Sequence, residues 1–501
     1  MVIVIEYMHN IQILNQNQVK VLEKLKLGEI DGIEEAVDQI TDDFMIYGLR
    51  GGLIDELANS FPDPRKECEI SVKQILSASI AGCYQDMYAL SQSPYSLHSP
   101  VLLAELNLNV KVLIPGDGIS SRGTKENTPF NGDVTRKMLY GMQASELIDW
   151  YNLKVGTAYL RQAKYRPCIH IIDCTELEVP LENENYEGSG VVSGKKGKKR
   201  KKTKKDSNEK EERPRRGYKL GSLRSLLDDG GIITGIAFGA IQVHDLELCR
   251  DLLMTNPHLK AGDMLIEDMG FLDGKTITKL KRERKVDVTI PIRSDMQAFS
   301  DALTNAYWPD SGDWEEHPSR ENQEIKGVDR LDWMWSECEV PMIGVVVRQL
   351  KDGKDGSGGR DDYNHWVFGS TRLSMNAKKT IQTYELRPEI EEDHKQWKDG
   401  PWDIDDFTST SLVQVLYHVI CILLAYNLQK VYSNTQAGQE YASKTLRQLR
   451  RQQARNHEVF MLVCTGEYYG IFRAKYLIWV LLGLPKEVQN ILKPYFDTGF
   501  T

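Results

Sequence analysis

The sequence lacks paired cysteines. Its eight cysteines are scattered singly through 501 residues, with no C-x-x-C pair and no histidine partner at zinc-ligand spacing. They are Cys68, Cys83, Cys168, Cys174, Cys249, Cys338, Cys421 and Cys464. Disulfide frameworks and structural zinc sites both need cysteines at patterned spacings. The sequence therefore predicts neither a disulfide-stabilised fold nor a structural zinc site.

Long hydrophobic runs are also missing. The first ten residues, MVIVIEYMHN, have no basic stretch followed by an apolar one, which a secretory signal would require. The longest apolar run, residues 412–426, is short for a bilayer span and is interrupted by Gln414 and His418. These features predict a cytoplasmic protein.

Positive charge is in short supply overall but is concentrated in one segment. The 63 basic and 72 acidic residues give a formal net charge of −9, which at first sight argues against a nucleic-acid-binding protein. Residues 195–216, however, hold 13 basic and 4 acidic residues, a local +9 that leaves −18 for the rest. This basic segment could bind DNA phosphate, form a disordered turn or act as a localisation-type patch. Because it has low complexity and no aromatic residue, we expect it to be disordered when free and to make salt-sensitive DNA contacts.

Hydrophobic periodicity indicates a helical region followed by a mixed α/β core. Apolar residues at spacings of three and four, above all over 30–46 and 71–90, predict a mainly helical N-terminal region. Three strands and then alternating helices and strands follow. The predicted strands are 168–173, 217–223, 232–243, 263–267 and 286–292, with helices at 245–255 and 275–284. A three-stranded meander followed by parallel crossovers is the order of a ribonuclease-H-like α/β core.

A β-rich insertion interrupts the predicted core. It contains two β-type runs around a turn-rich stretch, together with Trp308, Trp314, Trp333 and Trp335. Apolar and basic helical segments follow it and predict a helical C-terminal region. The predicted boundaries are 1–165, 166–293 with a basic disordered insertion at 183–216, 294–370 for the β-rich insertion, 371–432 for the second part of the core, and 433–501.

Carboxylates fall at the ends of two predicted core strands. Asp173 ends the first strand, and Asp268 follows the fourth in the segment MLIEDMGF. Asp263 and Glu267 are alternatives to Asp268, although a solvated strand end is the commoner role of such acids. Carboxylates from strand ends and a neighbouring helix can meet at one edge of a sheet, and hard divalent ions prefer oxygen ligands. The sequence thus predicts a metal site at this edge.

The acidic segment YELRPEIEEDHKQWKDG has one distinctive face. Tyr384, Arg387, Glu391 and Lys398 lie at offsets of 0, 3, 7 and 14 residues, which at about 100° per residue falls within an arc of about 60°. One carboxylate would then lie beside two cations able to hold phosphates. Pro388 disfavours helical geometry in the residue before it, so we expect the helix to begin at Pro388 and the arc to hold only for Glu391 and Lys398. Three other acids compete with Glu391: Glu389, Glu392 and Asp393.

The spacing Y-x2-R-x3-E-x6-K on this face resembles the signature of the DDE transposases of the insertion-sequence four family, a bacterial cut-and-paste group. The segments IIDCTELEV, GYKLGSL, AIQVHD and DMGFLDGKTITKL resemble the first three core strands and the second-aspartate motif of that family. The resemblance covers roughly residues 165–430. Three positions depart from the family pattern. Met269 stands where an arginine is frequent, Pro388 follows Arg387 and disfavours helical geometry there, and His394 stands where an aromatic or apolar residue is usual.

The resemblance implies roles for individual residues. Three acids would be catalytic and would bind two Mg²⁺ ions, with Mn²⁺ as an alternative: Asp173, Asp268 and Glu391. Three others would contact the phosphates at the transposon end: Tyr384, Arg387 and Lys398. Trp333 and Trp335 could stack on a base flipped out of the duplex, although the core of a small β subdomain is the commoner role of such tryptophans.

The resemblance further implies a DNA transposase that cleaves transposon ends and transfers their 3′ hydroxyls into target DNA. Its partners would be double-stranded DNA with terminal inverted repeats, target DNA and a second copy of the chain in a DNA-bound homodimer, in the nucleoid of a prokaryotic cell. The helical N-terminal region would bind the ends. The basic segment at 444–457 is either a second DNA-binding helix or a solvated face, with cations at Lys444, Arg447, Arg450, Arg451 and Arg455. Two alternatives share the same core residues: an inactive DNA-binding descendant and a metal-dependent nuclease without strand transfer.

Overall fold

The computed structural model describes most of the chain. The described residues are 2–7, 10–35, 39–66, 68–97, 99–108, 129–193, 213–331, 335–442, 444–456, 460–466 and 468–499. They form two compact units. The terminal unit comprises Met1–Leu147, Asp399–Thr408 and Val413–Thr501, and the central unit comprises Ile148–Lys398 and Ser409–Leu412.

Strands and helices alternate along much of the described chain. The strands are β1 (Val2–Tyr7), β2 (Asn10–Gln16), β3 (Gly32–Glu35), β4 (Ile169–Val179), β5 (Gly190–Val192), β6 (Arg215–Leu226), β7 (Gly231–Ala240), β8 (Met264–Ile266), β9 (Asp287–Ile292), β10 (Glu315–Glu316), β11 (Gln323–Val328), β12 (Ile343–Leu350), β13 (Tyr363–Ser370), β14 (Phe460–Thr465) and β15 (Tyr468–Arg473). The helices are α1 (Gln18–Leu27), α2 (Gln39–Arg50), α3 (Leu53–Ser60), α4 (Val72–Tyr84), α5 (Pro100–Glu105), α6 (Asp133–Leu139), α7 (Ala144–Trp150), α8 (Gly156–Ala163), α9 (Asp245–Thr255), α10 (Gly274–Lys279), α11 (Gln297–Ala306), α12 (Ala377–Tyr384), α13 (Pro388–Asp399), α14 (Leu412–Ser433), α15 (Leu446–Asn456), α16 (Ala474–Leu482) and α17 (Lys486–Gly499).

The central unit is built on a large mixed sheet with strand order β10-β11-β12-β13-β9-β8-β4-β6-β5, and β7 also pairs with β6. Strands β4, β6 and β7 form an antiparallel meander, whereas β4, β8 and β9 are parallel neighbours. Helix α9 connects β7 to β8, and α10 lies between β8 and β9. The predicted meander and parallel crossovers are therefore both present, in a mixed α/β architecture consistent with a ribonuclease-H-like core.

The predicted β-rich insertion at 294–370 is part of the same sheet, so its prediction as a separate subdomain is wrong. Strand β13 pairs antiparallel with β9, for example Val367 with Ile292, and β12, β11 and β10 add further strands outward. One hydrophobic cluster contains residues of both segments, among them Val288 and Val346. Without β13, β9 would expose an unpaired edge, and pairing satisfies its backbone hydrogen-bonding groups.

The predicted disordered insertion at 183–216 is ordered at both ends. Strand β5 pairs with the start of β6, and Val192 lies opposite Arg215. The Tyr218 hydroxyl donates a 2.8 Å hydrogen bond to the Glu187 carbonyl. Ion pairs join Arg213 and Arg215 to acids of β4. Most of the basic segment itself, at residues 194–212, lies outside the described residues.

The terminal unit contains a five-stranded sheet, so the prediction of mainly helical N- and C-terminal regions is wrong in this respect. Its order is β1-β2-β15-β14-β3, which combines strands from both ends of the chain. Strands β14 and β15 form a hairpin in which Gly466 has φ +52°. A glycine in a two-residue connection between aromatic and β-branched runs is a hairpin signal, and the helical interpretation overlooked it. The predicted helix at 30–46 likewise contains β3.

The apolar helix α14 belongs to the terminal unit from Val413 onward, not to the second part of the core predicted at 371–432. The Tyr84 hydroxyl of α4 donates a 2.6 Å hydrogen bond to the Ala425 carbonyl of α14. Among the described residues, α14 is the helix long and apolar enough to cross a membrane, but 83% of its most apolar window is buried within the protein. Such burial is typical of a core helix.

Candidate active site

Two of the predicted carboxylates lie side by side because of the strand register. Strands β4 and β8 are parallel, and Ile171 of β4 pairs with Ile266 of β8. Asp173 and Asp268 each lie two residues further along the chain, and Asp268 is still extended at φ −86° and ψ 169°. Because side chains in extended chain alternate with a period of two, both carboxylates project to the face occupied by those isoleucines.

Helix α13 packs on the same face and brings the third carboxylate. Ile390 is fully buried in a cluster with Ile171, Met264 and Ile266. Glu391 follows directly, and its side chain is 52% exposed. Burying Ile390 against the strands therefore places Glu391 at the edge of the helix that adjoins the strand ends.

The structure divides the predicted helical face at Pro388, as expected. Helix α12 ends at Tyr384, α13 begins at Pro388, and the Arg387 N–H donates a 2.9 Å hydrogen bond to the Tyr384 carbonyl in the turn between them. Tyr384 and Arg387 thus precede the helix that carries Glu391. Lys398 lies in the last turn of α13 and is half-buried.

The Arg387 guanidinium contacts all three predicted carboxylates. Its Nη2 lies 3.2 Å from Asp173 Oδ2 and 3.3 Å from Asp268 Oδ2, and its Nη1 lies 2.6 Å from Glu391 Oε1. The Arg387 side chain is 16% exposed, and its buried Nε has no hydrogen-bond partner among the described residues. The three acids that the sequence singles out therefore surround one internal cation, which leaves one of its own N–H groups unpaired.

Burial changes the protonation of this cluster. The pKa of Asp173 is raised to about 6, chiefly by burial and to a smaller extent by the charges of Asp268 and Glu391, while the Arg387 charge and the Cys174 N–H oppose the rise. Burial also raises the pKa of Tyr384 to about 12, so its phenol remains protonated at neutral pH. The pKa of Arg387 is raised, because its carboxylate neighbours outweigh the lowering effect of burial. Asp173 therefore takes up a proton on mild acidification, as the pH falls through about 6.

The three carboxylates would suit a hard divalent ion if the Arg387 guanidinium moved away from them. Asp173, Asp268 and Glu391 offer only oxygen ligands, which Mg²⁺ and Mn²⁺ prefer. In the present arrangement, no group of three or more His, Cys, Asp or Glu side chains in the described part of the chain is spaced to hold a metal ion. The carboxylates converge on a cation, and that cation is Arg387.

The competing acids have other contacts. Asp263 lies 3.3 Å from His170 Nε2 and accepts a 2.7 Å hydrogen bond from the Lys260 N–H. Glu267 is fully buried, which raises its pKa to about 8. Glu389 and Asp393 pair with Arg224, a residue that no sequence pattern singled out. Glu392 is exposed and pairs only weakly, at 3.4 Å, with Gln396.

The tryptophans predicted for base stacking are not placed together at this site. Trp333 lies outside the described residues, and Trp335 is 7% exposed within the hydrophobic core, which is the alternative role considered for it. A cavity of about 610 Å³ lies beside the carboxylates instead, reaching Met269 and Tyr384. Its wall includes aromatic side chains that the sequence analysis missed: Phe299, Trp366 and Phe368. Trp366 and Phe368 are two residues apart on β13, and that alternation was the available signal.

The candidate DNA-binding cations of α15 are partly structural. Arg450 Nη1 lies 2.7 Å from Asp86 Oδ1, and its Nη2 donates to the Tyr84 carbonyl. Arg447 and Arg451 are exposed, and Lys444 is half-buried. The position of the Arg455 side chain lies outside the described residues. Arg450 therefore holds α15 to its own unit, and exposed cations remain on either side of it.

Comparison with known families covers the part of the chain that contains this cluster. Residues 164–428 match the family model of the transposase DDE domain, which spans β4 to α14 and includes every residue of the carboxylate cluster. The match covers more than half of the chain, and the protein therefore belongs to the DDE transposase family. No curated protein sequence matches the chain.

Proposed function

We propose that this protein is a metal-dependent, cut-and-paste DNA transposase of the insertion-sequence four group. One observation carries the proposal: Asp173 of β4, Asp268 directly after β8 and Glu391 of α13 meet on the same guanidinium. Such convergence of three hard-ligand side chains is what phosphodiester chemistry with divalent ions requires. The strand order of the central sheet supports a ribonuclease-H-like core as its scaffold.

In this proposal the three carboxylates hold two Mg²⁺ ions, or Mn²⁺ ions in their place. Ions bound there would activate a water or a 3′ hydroxyl for attack on a phosphodiester and stabilise the departing oxygen. The protein contributes position: β4 and β8 fix the aspartates, and α13 fixes the glutamate. No covalent enzyme intermediate is needed.

Arg387 exchanges its partners when DNA binds. In the free protein it pairs with the carboxylates that the metal needs, and an arginine fork binds a phosphate as well as it binds a carboxylate. A terminal phosphate of the transposon end would draw Arg387 off the cluster and free the three ligands. Lys398 and the Tyr384 hydroxyl would contact neighbouring phosphates.

The remaining parts of the proposal concern DNA and partners. The terminal unit would bind the inverted repeats, with the basic segment adding salt-sensitive contacts, in a DNA-bound homodimer within a prokaryotic nucleoid. Two ends must be cut and joined together, which favours two copies of the chain. An unpaired terminal base would fit the 610 Å³ cavity beside the carboxylates, where the exposed Trp366 offers a stacking surface.

The direct test uses purified protein, Mg²⁺ and DNA that carries the flanks of its own gene, where inverted repeats bounded by short direct repeats are expected. We expect cleavage at the repeat ends and strand-transfer products. Glu391→Gln should abolish both, whereas the matched control Glu392→Gln, one residue along the same helix, should retain them. Wild-type protein that binds the ends without cutting them would indicate an inactive DNA-binding descendant, and cleavage without joining would indicate a plain nuclease.

A further inference from the structure

Helix α13 is held to the sheet by buried polar contacts that the proposed chemistry does not use. Arg224 of β6 has a side chain only 3% exposed, and its Nε donates a 2.7 Å hydrogen bond to Asp393 Oδ2. Its Nη1 also pairs with Glu389. One residue further along α13, His394 Nε2 and Ser222 Oγ share a 2.8 Å hydrogen bond. The contacts on the strand side thus come from β6, the neighbour of the strand that carries Asp173.

The sheet register places these contacts beneath the candidate active site. Ser222 of β6 lies directly opposite Asp173 of β4, and Arg224 lies opposite Ile171. Residues opposite one another on neighbouring strands project to the same face. Arg224 and Ser222 therefore share the face of Asp173, and α13 packs over all three.

The angular positions of the side chains around α13 explain why the rotation of this helix about its axis matters for Glu391. Taking Glu389 as zero, about 100° per residue places Asp393 at about 40°, Ile390 at about 100°, His394 at about 140° and Glu391 at about 200°. The first four face the sheet, and Glu391 lies about 60° beyond the last of them. Its carboxylate reaches the strand ends only at one rotation of the helix about its axis.

Apolar packing by itself specifies this rotation weakly. Burial of Ile390 is favourable over a range of helix rotations because the hydrophobic effect is not directional. Hydrogen bonds and ion pairs weaken steeply when distance and angle change. Two polar contacts on opposite sides of Ile390, at Asp393 and at His394, therefore limit rotation in both directions.

We propose that Arg224, with Asp393, and Ser222, with His394, are positioning residues that fix the rotation of α13 and so direct Glu391 toward Asp173 and Asp268. The inference rests on the proposed function and extends it to residues that contact neither metal nor DNA. It also gives a role to His394, which departs from the family pattern, and to Asp393, which the sequence left as a competitor of Glu391.

The test separates positioning from stability by replacing the buried ion pair with apolar side chains. Replacing both partners of such a pair is often neutral for stability, whereas removing one leaves a buried charge without a partner. We expect Arg224→Met with Asp393→Leu to unfold near the wild-type temperature, and Arg224→Met alone to unfold earlier. The double variant should nevertheless bind Mn²⁺ about tenfold to a hundredfold more weakly, by electron paramagnetic resonance of the DNA-free protein, and lose turnover to a similar extent.

A second variant and a control complete the design. His394→Phe retains an aromatic ring but loses the bond to Ser222, so we expect a smaller loss of Mn²⁺ affinity in a folded protein. The control is Arg372→Met, which removes a 3.0 Å contact to Asp287 in the same unit without touching α13. Its Mn²⁺ affinity should equal that of the wild type.

The outcomes are distinguishable. If the wild type binds Mn²⁺ and both the double variant and His394→Phe bind it equally well, the positioning role is overturned while the proposed function stands. If the wild type binds no Mn²⁺ because Arg387 holds the carboxylates, the same variants are compared in an Arg387→Gln background, where the internal cation is absent. Absence of Mn²⁺ binding in that background would overturn both the proposed function and the positioning role. Weaker Mn²⁺ binding by a double variant that unfolds at the wild-type temperature supports the positioning role.

Discussion

At the scale of single residues, Arg387 occupies the three carboxylates that a metal ion would need. Its guanidinium contacts Asp173, Asp268 and Glu391 at once, so part of the negative charge of the cluster is offset without a metal. The sequence pattern predicted that Arg387 would lie near Glu391 but assigned it to phosphate alone. A spacing pattern shows which residues share a face, and it does not show which of several partners a long side chain chooses in the absence of DNA.

Replacing Arg387 should separate metal binding from DNA cleavage. In Arg387→Gln the three carboxylates lose their internal cation, and we expect the DNA-free protein to bind Mn²⁺ about fivefold or more tightly, measured by calorimetry. Cleavage of a transposon end should fall, because glutamine cannot replace the charged fork that binds the phosphate. Lys398→Gln should reduce cleavage without tightening Mn²⁺ binding. Unchanged Mn²⁺ affinity in Arg387→Gln would show that the guanidinium does not compete with the ion.

Mild acid should weaken metal binding through Asp173. Its pKa in the folded protein is raised from 3.8 to about 6, so the carboxyl group takes up a proton as the pH falls through about 6, and an ion must displace that proton to bind. We expect the apparent Mn²⁺ affinity to level off above about pH 7 and to fall toward about tenfold per pH unit below about 6. A midpoint near 4 would mean that Asp173 is not the controlling group.

At the scale of elements, the sequence predicted local structure well where a pattern is continuous. Helix α9 has the predicted bounds of 245–255, and β8 lies within the predicted 263–267. The prediction that the first core strand ends at Asp173 is wrong, because β4 continues to Val179 through its pairing with β6. The pairing of Asn15 with Tyr468 joins segments from opposite ends of the chain, and no local periodicity encodes it. The link from Arg224 to Asp393 was hidden for the same reason, since 169 residues separate its partners.

The stability of the α13 contact can be tested at Ile390. This side chain is fully buried under the helix, so Ile390→Ala should leave a cavity and reduce the free energy of unfolding by about 2–4 kcal/mol, measured by urea denaturation. Glu392→Ala, on the exposed side of the same helix, should change it by less than about 0.5 kcal/mol. Equal effects of the two substitutions would contradict the packing described for α13.

At the scale of the whole molecule, the net charge of −9 is compatible with the proposed DNA binding because many of the basic residues are concentrated in one segment. Residues 195–216 carry a charge of +9. Val192, shortly before this segment, pairs with Arg215 near its end, so the two ends of the segment are neighbours in the sheet. Arg213 and Arg215, near the end of that segment, already form ion pairs with acids of β4. DNA contacts of the basic segment should therefore depend on its lysine-rich part.

Deleting residues 195–212 tests this arrangement without disturbing the sheet. The remaining Ser193, Gly194, Arg213 and Pro214 would connect the paired strands as a four-residue turn, a common hairpin length. We expect the logarithm of the DNA affinity to depend less steeply on the logarithm of salt concentration, by about 0.9 for each phosphate that the protein no longer neutralises. A Gly/Ser segment of the original length should give the same reduced slope. A slope equal to that of the wild type would exclude the segment from DNA binding.

Chelation should leave the folded state intact. Since Arg387 already pairs with the three carboxylates, removing divalent ions with EDTA is expected to leave the thermal unfolding midpoint unchanged, measured by differential scanning calorimetry. Arg387→Gln should instead gain thermal stability on addition of Mg²⁺, because only there do the carboxylates lack a cation. A large fall in the wild-type midpoint on chelation would contradict this expectation.

The internal cation also has a consequence for how the protein is made. A chain whose carboxylate cluster is paired with its own arginine can complete folding during synthesis without acquiring an ion, whatever the metal supply of the cell. Newly made copies would then be stable and chemically idle, and would become competent only upon meeting a suitable DNA end. If the protein cleaves DNA as proposed, this restraint would limit stray cuts in the host chromosome without an inhibitor protein.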